Sequence, residues 1–512
     1  MDSNARSREL ALLACVLVVA VAGLVYELIA GTLSTYLLGN SVTVFSLVIG
    51  IFLASMGLGA FLAKYVEEKL VQALIIAEIA LAGIGGLSAL LLFGAYAAVG
   101  DAYPVVLGAL CITIGALVGV EIPLLLRILE KRVEVRVVVS HVLALDYVGA
   151  LLGSILFPLF FLPHLGLVRS SALFGLLNLL VAAVALRIFR DEVPLRSLRT
   201  VTGGLALILG GVLWTGGEAT TWLEDQLYDD HVLLSKQTAY QRIVLTRWRD
   251  DTRLYLDGNL QLSSSDEYRY HETLVHPAMS TIDHPTRILV LGGGDGMVVR
   301  EVLRHPTILH VDLVDLDPEI TRLAREDRLL RELNKGALDD PRVRIHHADA
   351  LRFLEQAKER WDLVIMDLPD PNDDGLSRLY SVGAFRMALQ RLTDRGALVT
   401  QATSPFFAPE AFWCIVETIE EAVASSPTLR EVRPLHAHVP SFGEWGFVMA
   451  SRRTPRVEPL VGLSLRFLGP EQLNAVQTFP TDLSRVEVKV NRLSDARLGR
   501  YYRRGWTRFR GP

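Results

Sequence analysis

The chain has 512 residues, 51% of them hydrophobic, and a mean hydropathy of +0.35. This composition excludes an ordinary soluble enzyme, and a formal net charge of −5 favours no class of partner. The spacing of its three cysteines, Cys15, Cys111 and Cys414, gives neither a disulfide framework nor a zinc-binding pattern. The first 217 residues hold nearly all the long charge-free runs, whereas the rest of the chain is rich in Asp, Glu and Arg.

Residues 1–217 are predicted to form an all-α polytopic membrane domain of six or seven transmembrane helices. A helix needs about 20 apolar residues to cross a bilayer, and most of the runs reach that length. The seventh run is shorter and contains six glycines, so it either crosses the membrane, re-enters it or lies at its surface. The first run is not a cleavable signal peptide, because it is long and further spans follow at once. The runs are 10–30, 42–63, 71–98, 104–126, 138–163, 168–186 and 201–217.

The loop charges predict an orientation for these helices. Lysine and arginine are concentrated in the cytoplasmic loops of membrane proteins. Here they occur mainly in the N-terminal segment and in the second, fourth and sixth loops, which we therefore expect in the cytoplasm. Six spans would leave residue 190 inside, and a seventh span across 201–217 would put the remainder of the chain outside.

Four acidic residues fall within the apolar runs: Glu27, Glu78, Glu121 and Asp146. Because intramembrane carboxylates are costly, they are candidates for a cation path. The alternative is that they join helices together or lie near the membrane surface.

Residues 218–285 are predicted to be a linker and a small N-terminal β-unit. The stretch "YQRIVLTRW" (240–248) alternates and is rich in β-branched residues. The stretch "RLYLDGNLQLSSS" (253–265) predicts two short strands around Asp257-Gly258, a favoured hairpin turn.

Residues 286–455 are predicted to form an α/β Rossmann-like domain of the class I S-adenosylmethionine-dependent transferase type. Strands alternate with helices, which indicates a parallel, doubly wound sheet with its ligand at the carboxyl ends of the strands. The predicted strands begin the stretches 287–296 and 342–354 and lie in 308–318, 361–371 and 396–401, and the predicted helices include 296–305 and 318–333.

Acidic residues follow four of these strands, which predicts one acidic cleft at this edge of the sheet. Helix capping would account for two or three of them. An acid after the second strand typically binds ribose hydroxyls, and Asp315 lies 21 residues beyond Gly294. Asp349 is placed to accept a hydrogen bond from an adenine amino group, so the cleft favours an adenosine ligand without phosphates. The acids are Asp295, Asp315, Asp317, Asp349, Asp367 and Asp370.

Asp295, inside the glycine-rich stretch "LVLGGGDGMVV" (289–299), distinguishes between two such ligands. The carboxylate of ordinary S-adenosylmethionine would be repelled by it. Decarboxylated S-adenosylmethionine lacks that carboxylate and keeps the ammonium, with which Asp295 can pair. This predicts transfer of an aminopropyl group rather than a methyl group.

An ordered series of motifs over roughly 235–450 resembles the spermidine synthases, which are polyamine aminopropyltransferases. The resemblance covers nearly all of the soluble part of the chain. The motifs are "YQRIVLTR" (240–247), "LDGNLQLSSSDEYRYHE" (256–272), "LVLGGGDGMVVREVLRHP" (289–306), "VDLDP" (314–318), "DA" (349–350), "DLPDP" (367–371) and "LVTQ" (398–401).

The resemblance implies a role for each matching residue. Asp367 resembles the catalytic base that takes a proton from the attacking amine of putrescine. Decarboxylated S-adenosylmethionine is implied as the co-substrate, with no cofactor and no metal. His271, Asp295 and Asp370 resemble the polyamine and aminopropyl contacts; Gln241, Asp315, Asp349 and Ala350 resemble the nucleoside contacts; Gln261, Tyr270, Gly292 and Gly294 are weaker candidates.

Three departures from the family pattern bear on the substrate. The ribose acid is commonly Glu in the family and is Asp315 here, and Asp374 replaces a proline in "DLPDPNDD" (367–374). The stretch "VPSFGEWGF" (439–447) lacks the family's tyrosine at the polyamine end. The acceptor is therefore left open between putrescine, a longer diamine and spermidine.

Two other functions are compatible with the sequence: a methyltransferase, or a polyamine transporter or sensor whose soluble domain only binds. We expect a cell-membrane protein, in contact with lipid, that forms a homo-oligomer and binds no nucleic acid. Because decarboxylated S-adenosylmethionine is expected in the cytoplasm, we expect the catalytic domain on that side of the membrane.

Residues 456–512 are predicted to be a C-terminal extension. Its basic tail, 497–512, is solvated or contacts lipid headgroups.

Overall fold

The computed structural model describes residues 3–38, 42–99, 102–130, 135–190, 195–227, 230–238, 240–426, 429–460, 462–495 and 497–509. The chain divides into two compact units, a helical unit (Met1–Ala239) and a catalytic unit (Tyr240–Pro512). The predicted linker and β-unit, 218–285, is thus divided between the two.

The helical unit consists of long apolar helices followed by one strand. A short π-helical segment, Phe157–Phe161, joins the sixth helix to the seventh. The eighth helix contains the whole of the predicted run 201–217 and continues beyond it. The elements are α1 (Ser3–Leu38), α2 (Val42–Leu62), α3 (Leu70–Gly86), α4 (Ser88–Val99), α5 (Tyr103–Leu129), α6 (Val135–Leu156), α7 (Leu162–Ile188), α8 (Leu195–Leu227) and β1 (His231–Gln237).

Five segments of the described chain are long and apolar enough to cross a membrane, or six if α3 and α4, bent by 42°, form one span. One of the five, Arg136–Ile188, has 53 residues and contains two of the predicted runs, 138–163 and 168–186. Since one crossing needs about 20 residues, this segment is long enough for two. Gly166, with φ 71° and ψ −176°, interrupts its helical backbone.

Close packing of the helices depends on glycines at their contacts. A Cβ atom on Gly119 of α5 would lie 2.0 Å from the carbonyl oxygen of Met56 on α2, so no side chain fits there. A Cβ atom on Gly149 of α6 would lie 2.6 Å from the Cβ of Ala20 on α1. Glycine at position 149 thus allows α6 to pack closely on α1.

The catalytic unit begins with a small antiparallel sheet of strands β2 (Arg242–Trp248), β3 (Asp251–Leu256) and β4 (Asn259–Ser263). Asp257 and Gly258 connect β3 to β4 with φ of 48° and 77°. Positive φ at both positions is what a tight two-residue hairpin requires, so the predicted turn is confirmed.

A seven-stranded sheet forms the centre of the catalytic unit, in the order β10-β11-β9-β8-β5-β6-β7. Strands β5 to β9 are parallel, as predicted, and apolar clusters cover both faces of the sheet. The chain order changes direction between β5 and β8, where a ligand cleft is expected. The strands are β5 (Arg287–Gly292), β6 (His310–Asp315), β7 (Val343–His347), β8 (Trp361–Asp367), β9 (Leu392–Gln401), β10 (Glu431–Val439) and β11 (Gly443–Ser451).

Helices pack against this sheet and follow its strands. They are α9 (Glu267–Met279), α10 (Met297–Leu303), α11 (Pro318–Glu326), α12 (Arg328–Asn334), α13 (Ala350–Gln356), α14 (Asp374–Ser377), α15 (Val382–Gln390), α16 (Pro409–Val423), α17 (Pro470–Ala475) and α18 (Arg497–Thr507).

Two features of the catalytic unit differ from the sequence prediction. The single helix expected at 318–333 is two helices, because Asp327 is extended, with ψ 129°, and accepts hydrogen bonds from the N–H groups of Leu329 and Leu330. The sheet also has two antiparallel strands, β10 and β11, beyond the five parallel ones. Strand β10 contains Pro434 and lies at the sheet edge, where a missing N–H is tolerated.

The C-terminal extension packs against the rest of the catalytic unit. On α18, Trp506 stacks on Phe407 with ring centroids 4.8 Å apart. A Cβ atom on Gly505 would lie 2.6 Å from the Cα of Ala408, so the helix backbone contacts the unit directly. The interpretation of 497–512 as a solvated tail is therefore wrong for 497–507, because aromatic residues of this helix pack against the rest of the unit, and contact with lipid headgroups stays a prediction.

Candidate active site

The glycine turn after β5 brings two strand ends into contact. Gly292 pairs with Asp367 across the parallel strands, and a Cβ atom on it would lie 2.0 Å from the carbonyl oxygen of Asp367. Both Gly292 and Gly293 have positive φ, which glycine adopts without strain. A Cβ atom on Gly293 would lie 3.1 Å from Oδ2 of Asp367. The turn therefore leaves that carboxylate oxygen uncovered on its glycine side.

The carboxylate of Asp367, at the end of β8, is hydrogen-bonded through its other oxygen. The hydroxyl of Tyr270 on α9 donates to Oδ1 over 2.6 Å. Burial raises the pKa of Asp367 to about 6, although the charge of His271 and the bond from Tyr270 act in the opposite direction. A carboxylate with such a pKa is a stronger base than an exposed one and is still ionised at neutral pH.

His271 is held in place by a buried acid that the sequence analysis missed. Its Nδ1 lies 2.8 Å from Oε2 of Glu267, and Glu267 also forms a two-pronged ion pair with Arg300 on α10. Burial alone would lower the pKa of His271, but the hydrogen bond and charge of Glu267 outweigh it and raise the pKa above its ordinary value. The charges of Asp295 and Asp367 act on His271 in the same direction. Glu267 is thus in hydrogen-bond contact with the imidazole of His271, and the charges of Asp295 and Asp367 act on the same ring.

Asp370 is surrounded by neutral hydrogen-bond donors. Tyr502 of α18 donates from its hydroxyl to Oδ2 over 2.8 Å, and Gln401 donates from Nε2 to Oδ1 over 3.2 Å. Gln401 also lies 2.6 Å from the hydroxyl of Tyr380, which donates to the carbonyl oxygens of Leu368 and Pro369. Burial raises the pKa of Asp370 to about 6, while the bonds from Tyr502 and Gln401 act to lower it.

The expected nucleoside acid, Asp315, lies against the glycine turn at the end of β6. It accepts hydrogen bonds from the N–H groups of Gly294 and Asp317, at 3.0 and 2.9 Å. A Cβ atom on Gly294 would lie 2.5 Å from Oδ2 of Asp315, so glycine is needed there. Burial raises the pKa of Asp315 to about 6. Gln241 reaches the same strand end, where it donates to Oδ2 of Asp317 over 3.1 Å.

Asp349 and Ala350 lie where β7 leads into α13. The carboxylate of Asp349 caps that helix by accepting from the N–H groups of Leu351 and Arg352, both at 3.1 Å, and it pairs with Arg378. Asp317 caps α11 in the same way. Capping therefore accounts for these two acids structurally, and the adenine contact of Asp349 stays a prediction.

Two further expected positions lie in the glycine turn and on β4. Asp295 is almost fully buried, and its Oδ1 accepts from the N–H of Met297 over 2.9 Å. Gln261 lies on β4, where its amide donates to the carbonyl oxygen of Asn259 over 3.2 Å. Within the described residues, no group of three or more His, Cys, Asp and Glu side chains is placed to hold a metal ion.

Sequence reasoning missed Glu267 and Tyr502, for different reasons. Glu267 belongs to "DEYRYHE" (266–272), and its spacing of four from His271 places both side chains on one helix face, a signal that was available. Tyr502 had no such signal, because its contact with Asp370 joins residues 132 positions apart.

The sheet order, the glycine turn and the acidic residues around it define a class I transferase domain of the α/β methyltransferase-like type. Comparison with known proteins identifies the family more closely. Residues 267–458 match the family described as Spermine/spermidine synthase domain. A polyamine aminopropyltransferase of Leptospira interrogans is 45% identical over 98% of this chain and 99% of its own length. Polyamine aminopropyltransferase 2 of Ralstonia nicotianae is 43% identical over 97% and 98%.

The chain therefore belongs to the polyamine aminopropyltransferase family and is an aminopropyltransferase. The similarity to these relatives extends over the helical unit as well as the catalytic unit. Among solved structures, spermidine synthase from Thermotoga maritima is 25% identical with a TM-score of 0.44, covering 49% of this chain and 84% of that one.

Proposed function

We propose that this protein is a membrane-bound spermidine synthase that transfers the aminopropyl group of decarboxylated S-adenosylmethionine to putrescine. The observation that carries the proposal is the pair of carboxylates of raised pKa, Asp367 and Asp370, at the end of β8 beside the glycine turn. A diamine has two ammonium groups, and this pair gives each a negative partner.

The two carboxylates have different tasks in the proposed reaction. An alkylamine is mostly protonated at neutral pH and cannot attack until it loses a proton. Asp367 takes that proton through the oxygen on its glycine side, since Tyr270 occupies the other. The free amine then attacks the carbon next to sulfur. The carbon–sulfur bond breaks, and its electron pair leaves with 5′-methylthioadenosine.

Asp370 holds the second ammonium group of the acceptor in this proposal. Its hydrogen-bond partners, Tyr502 and Gln401, are neutral, so they fix the carboxylate without neutralising it. The distance between the carboxylates of Asp367 and Asp370 then selects the length of the diamine. The family's tyrosine is missing from 439–447, and Tyr502 supplies a phenol at this end from α18 instead.

Asp295 selects the co-substrate. Beside the imidazole of His271 and the carboxylate of Asp367 it adds negative charge to the turn, which favours the ammonium of the aminopropyl group. The amino-acid carboxylate of ordinary S-adenosylmethionine would meet the same charge and be repelled. Asp315, Asp349, Ala350 and Gln241 are proposed to bind the nucleoside.

We further propose that the helical unit is inserted in the cell membrane and contacts lipid. Few residues of the apolar segment Ser197–Gly216 of α8 are buried in the unit, and Leu207 and Trp214 are 80% and 85% exposed, which suits a lipid environment. Supply of the co-substrate favours a cytoplasmic catalytic unit, whereas a crossing α8 together with the loop charges favours the opposite side. We propose the cytoplasmic side, and protease protection of 240–512 in closed right-side-out vesicles is expected. Digestion from outside would overturn it.

A homo-oligomer is the assembly we propose, and mass measurement of the detergent-solubilised chain by light scattering tests it. A single-chain mass would contradict this proposal.

The acceptor is tested by product analysis with the purified full chain. Decarboxylated S-adenosylmethionine is supplied with putrescine, with 1,5-diaminopentane or with spermidine, and each product is measured by mass spectrometry. We expect the highest kcat/KM with putrescine. A higher value with either other amine would overturn the acceptor assignment and leave the aminopropyl transfer intact.

A further inference from the structure

The interior of the helical unit contains polar side chains that have no hydrogen-bond partner. Both carboxylate oxygens of Glu78 on α3 and of Glu121 on α5 are buried and unbonded, and so is the hydroxyl of Tyr26 on α1. The amide of Asn178 on α7 is in the same situation at both its oxygen and its nitrogen. All four residues are at most 1% exposed. Unpaired buried polar groups are rare in native structures and call for an explanation.

Three of these side chains, on three different helices, interact electrostatically. The charges of Glu78 and Glu121 both act on the phenol of Tyr26, and Glu121 is also an electrostatic neighbour of Glu78. The ring of Tyr26 ends against α3, since a Cβ atom on Gly85 would lie 2.7 Å from its Cζ.

Asn178 is brought to this group by the packing of α7 on α3. A Cβ atom on Gly175 would lie 2.8 Å from the carbonyl oxygen of Ala82. Asn178 is about one helical turn from Gly175, and Glu78 about one turn from Ala82. The two helices are antiparallel, because the first half of α3 shares an apolar cluster with the second half of α7, and Leu81 near the end of α3 shares another with Leu167 near the start of α7. Glu78 and Asn178 are therefore at a similar depth.

Two carboxylates in an apolar interior are stable only with bound protons or a bound cation. The apolar clusters on either side contribute aliphatic residues such as Ile79, Leu124 and Val118, which suit methylene groups. Asp146, partly exposed on α6, is an electrostatic neighbour of Glu121 and continues the acidic series outward. A ligand with ammonium groups at the ends of an aliphatic chain matches both the charge and the apolar surroundings.

We propose that Glu78, Glu121, Tyr26 and Asn178 form a binding site for an alkyl diammonium cation inside the helical unit. The choice of putrescine as the probe rests on the proposed function, but binding at this site does not require aminopropyl transfer. The membrane part of the chain thereby has an amine site of its own, separate from the acceptor end at Asp370.

Equilibrium binding of labelled putrescine to the full chain in lipid nanodiscs tests this proposal, without co-substrate and at fixed ionic strength. We expect two amines per chain, falling to one in the Glu78→Gln/Glu121→Gln double variant. Glu68→Gln, an exposed acid of the same unit, is the matched control and should keep both. Asp370→Asn should remove the other amine, so a failure of the acceptor assignment is seen separately. A stoichiometry that the double variant leaves unchanged would overturn the proposal.

A second variant keeps the test informative if the double variant is not recovered as a folded protein. Tyr26→Phe removes one hydroxyl and should weaken putrescine binding at this site by about tenfold, the cost of one hydrogen bond to a charged group. Equal affinity in Tyr26→Phe and the unmodified chain would overturn the proposal. The proposal would also be overturned if the second putrescine were lost when sodium replaces potassium at the same ionic strength. Sodium would then compete for the site, which would identify it as a site for an inorganic cation.

Discussion

The hydroxyl of Tyr502 donates a 2.8 Å hydrogen bond to Oδ2 of Asp370, although 132 residues separate the two positions. The bond joins the C-terminal helix α18 to the end of the catalytic cleft that is proposed to hold the far ammonium of the acceptor. In this arrangement the C-terminal extension forms part of the active site.

Tyr502→Phe removes this hydrogen bond and leaves the ring in place. We expect KM for putrescine to rise about fivefold to tenfold with a smaller change in kcat, because the bond fixes a binding carboxylate rather than the reacting atoms. Steady-state kinetics at saturating co-substrate measure both constants. Tyr501→Phe, the neighbouring phenol, is the control and should behave as the unmodified enzyme; equal KM values for Tyr502→Phe and Tyr501→Phe would contradict the assignment.

Asp367→Asn replaces the proposed base with a neutral amide of the same size. Turnover should fall by at least about a hundredfold, the usual contribution of a positioned base. Binding of 5′-methylthioadenosine should persist, because the nucleoside end of the cleft is built by other residues. Calorimetry and a product assay on the same preparation separate the two effects, and near-full activity would show that another group takes the proton.

The activity should depend on pH through carboxylates that must be ionised. Since Asp367 and Asp370 both have a pKa of about 6, kcat/KM should decline as pH falls through this value, with apparent constants that belong to the pair. The bond from Tyr270 lowers the pKa of Asp367, so Tyr270→Phe should move the acidic limb to higher pH. A limb that does not move in the pH–rate profile would exclude Asp367 as the titrating base.

The same carboxylates should make the catalytic unit less stable as pH rises. Asp370 has a folded-state pKa of about 6 and an unfolded one of about 3.9, so the folded state binds more protons between these values and loses stability there. Asp370→Asn should therefore raise the melting temperature at pH 7.5, with a much smaller effect at pH 4.5. Melting curves of the full chain followed by tryptophan fluorescence measure this; an equal shift at both pH values would contradict the linkage.

Glu267 should matter for folding more than any exposed acid. It forms a buried ion pair with Arg300 and a hydrogen bond with His271. Glu267→Gln removes one of the two carboxylates paired with the buried Arg300, Glu301 being the other, and should lower the free energy of unfolding by about 2 kcal/mol, the cost of lost hydrogen bonds to a charged group. Glu319→Gln breaks an exposed ion pair with Arg322 and should cost less than about 1 kcal/mol. Similar losses in a denaturant titration of the two variants would contradict the account.

The sequence predicts the parts of this site that depend on local pattern. Asp315 and Asp367 follow apolar strands, and the parallel order of those strands brings their ends to one edge. The turn at Asp257-Gly258 is equally local, because its positive φ values need particular residues.

Contacts between distant segments could not be predicted in this way. Whether "RLGRYYRRGWTRFRGP" (497–512) is a tail or a packed helix depends on whether a partner surface exists, and Phe407 and Ala408 supply it. The break at Asp327 was missed because the helical spacing of 318–333 continues through a residue that caps the next helix. The burial of Glu78 and Glu121 without partners likewise depends on how four helices, α1, α3, α5 and α7, pack.

The most direct test of the central claim compares the two forms of the co-substrate. The purified full chain is given putrescine with decarboxylated S-adenosylmethionine, and in parallel with ordinary S-adenosylmethionine. We predict equimolar spermidine and 5′-methylthioadenosine from the first mixture and no alkylated amine from the second. Methylated putrescine and S-adenosylhomocysteine from the second mixture, at a comparable rate, would contradict the role assigned to Asp295 and the aminopropyl transfer itself.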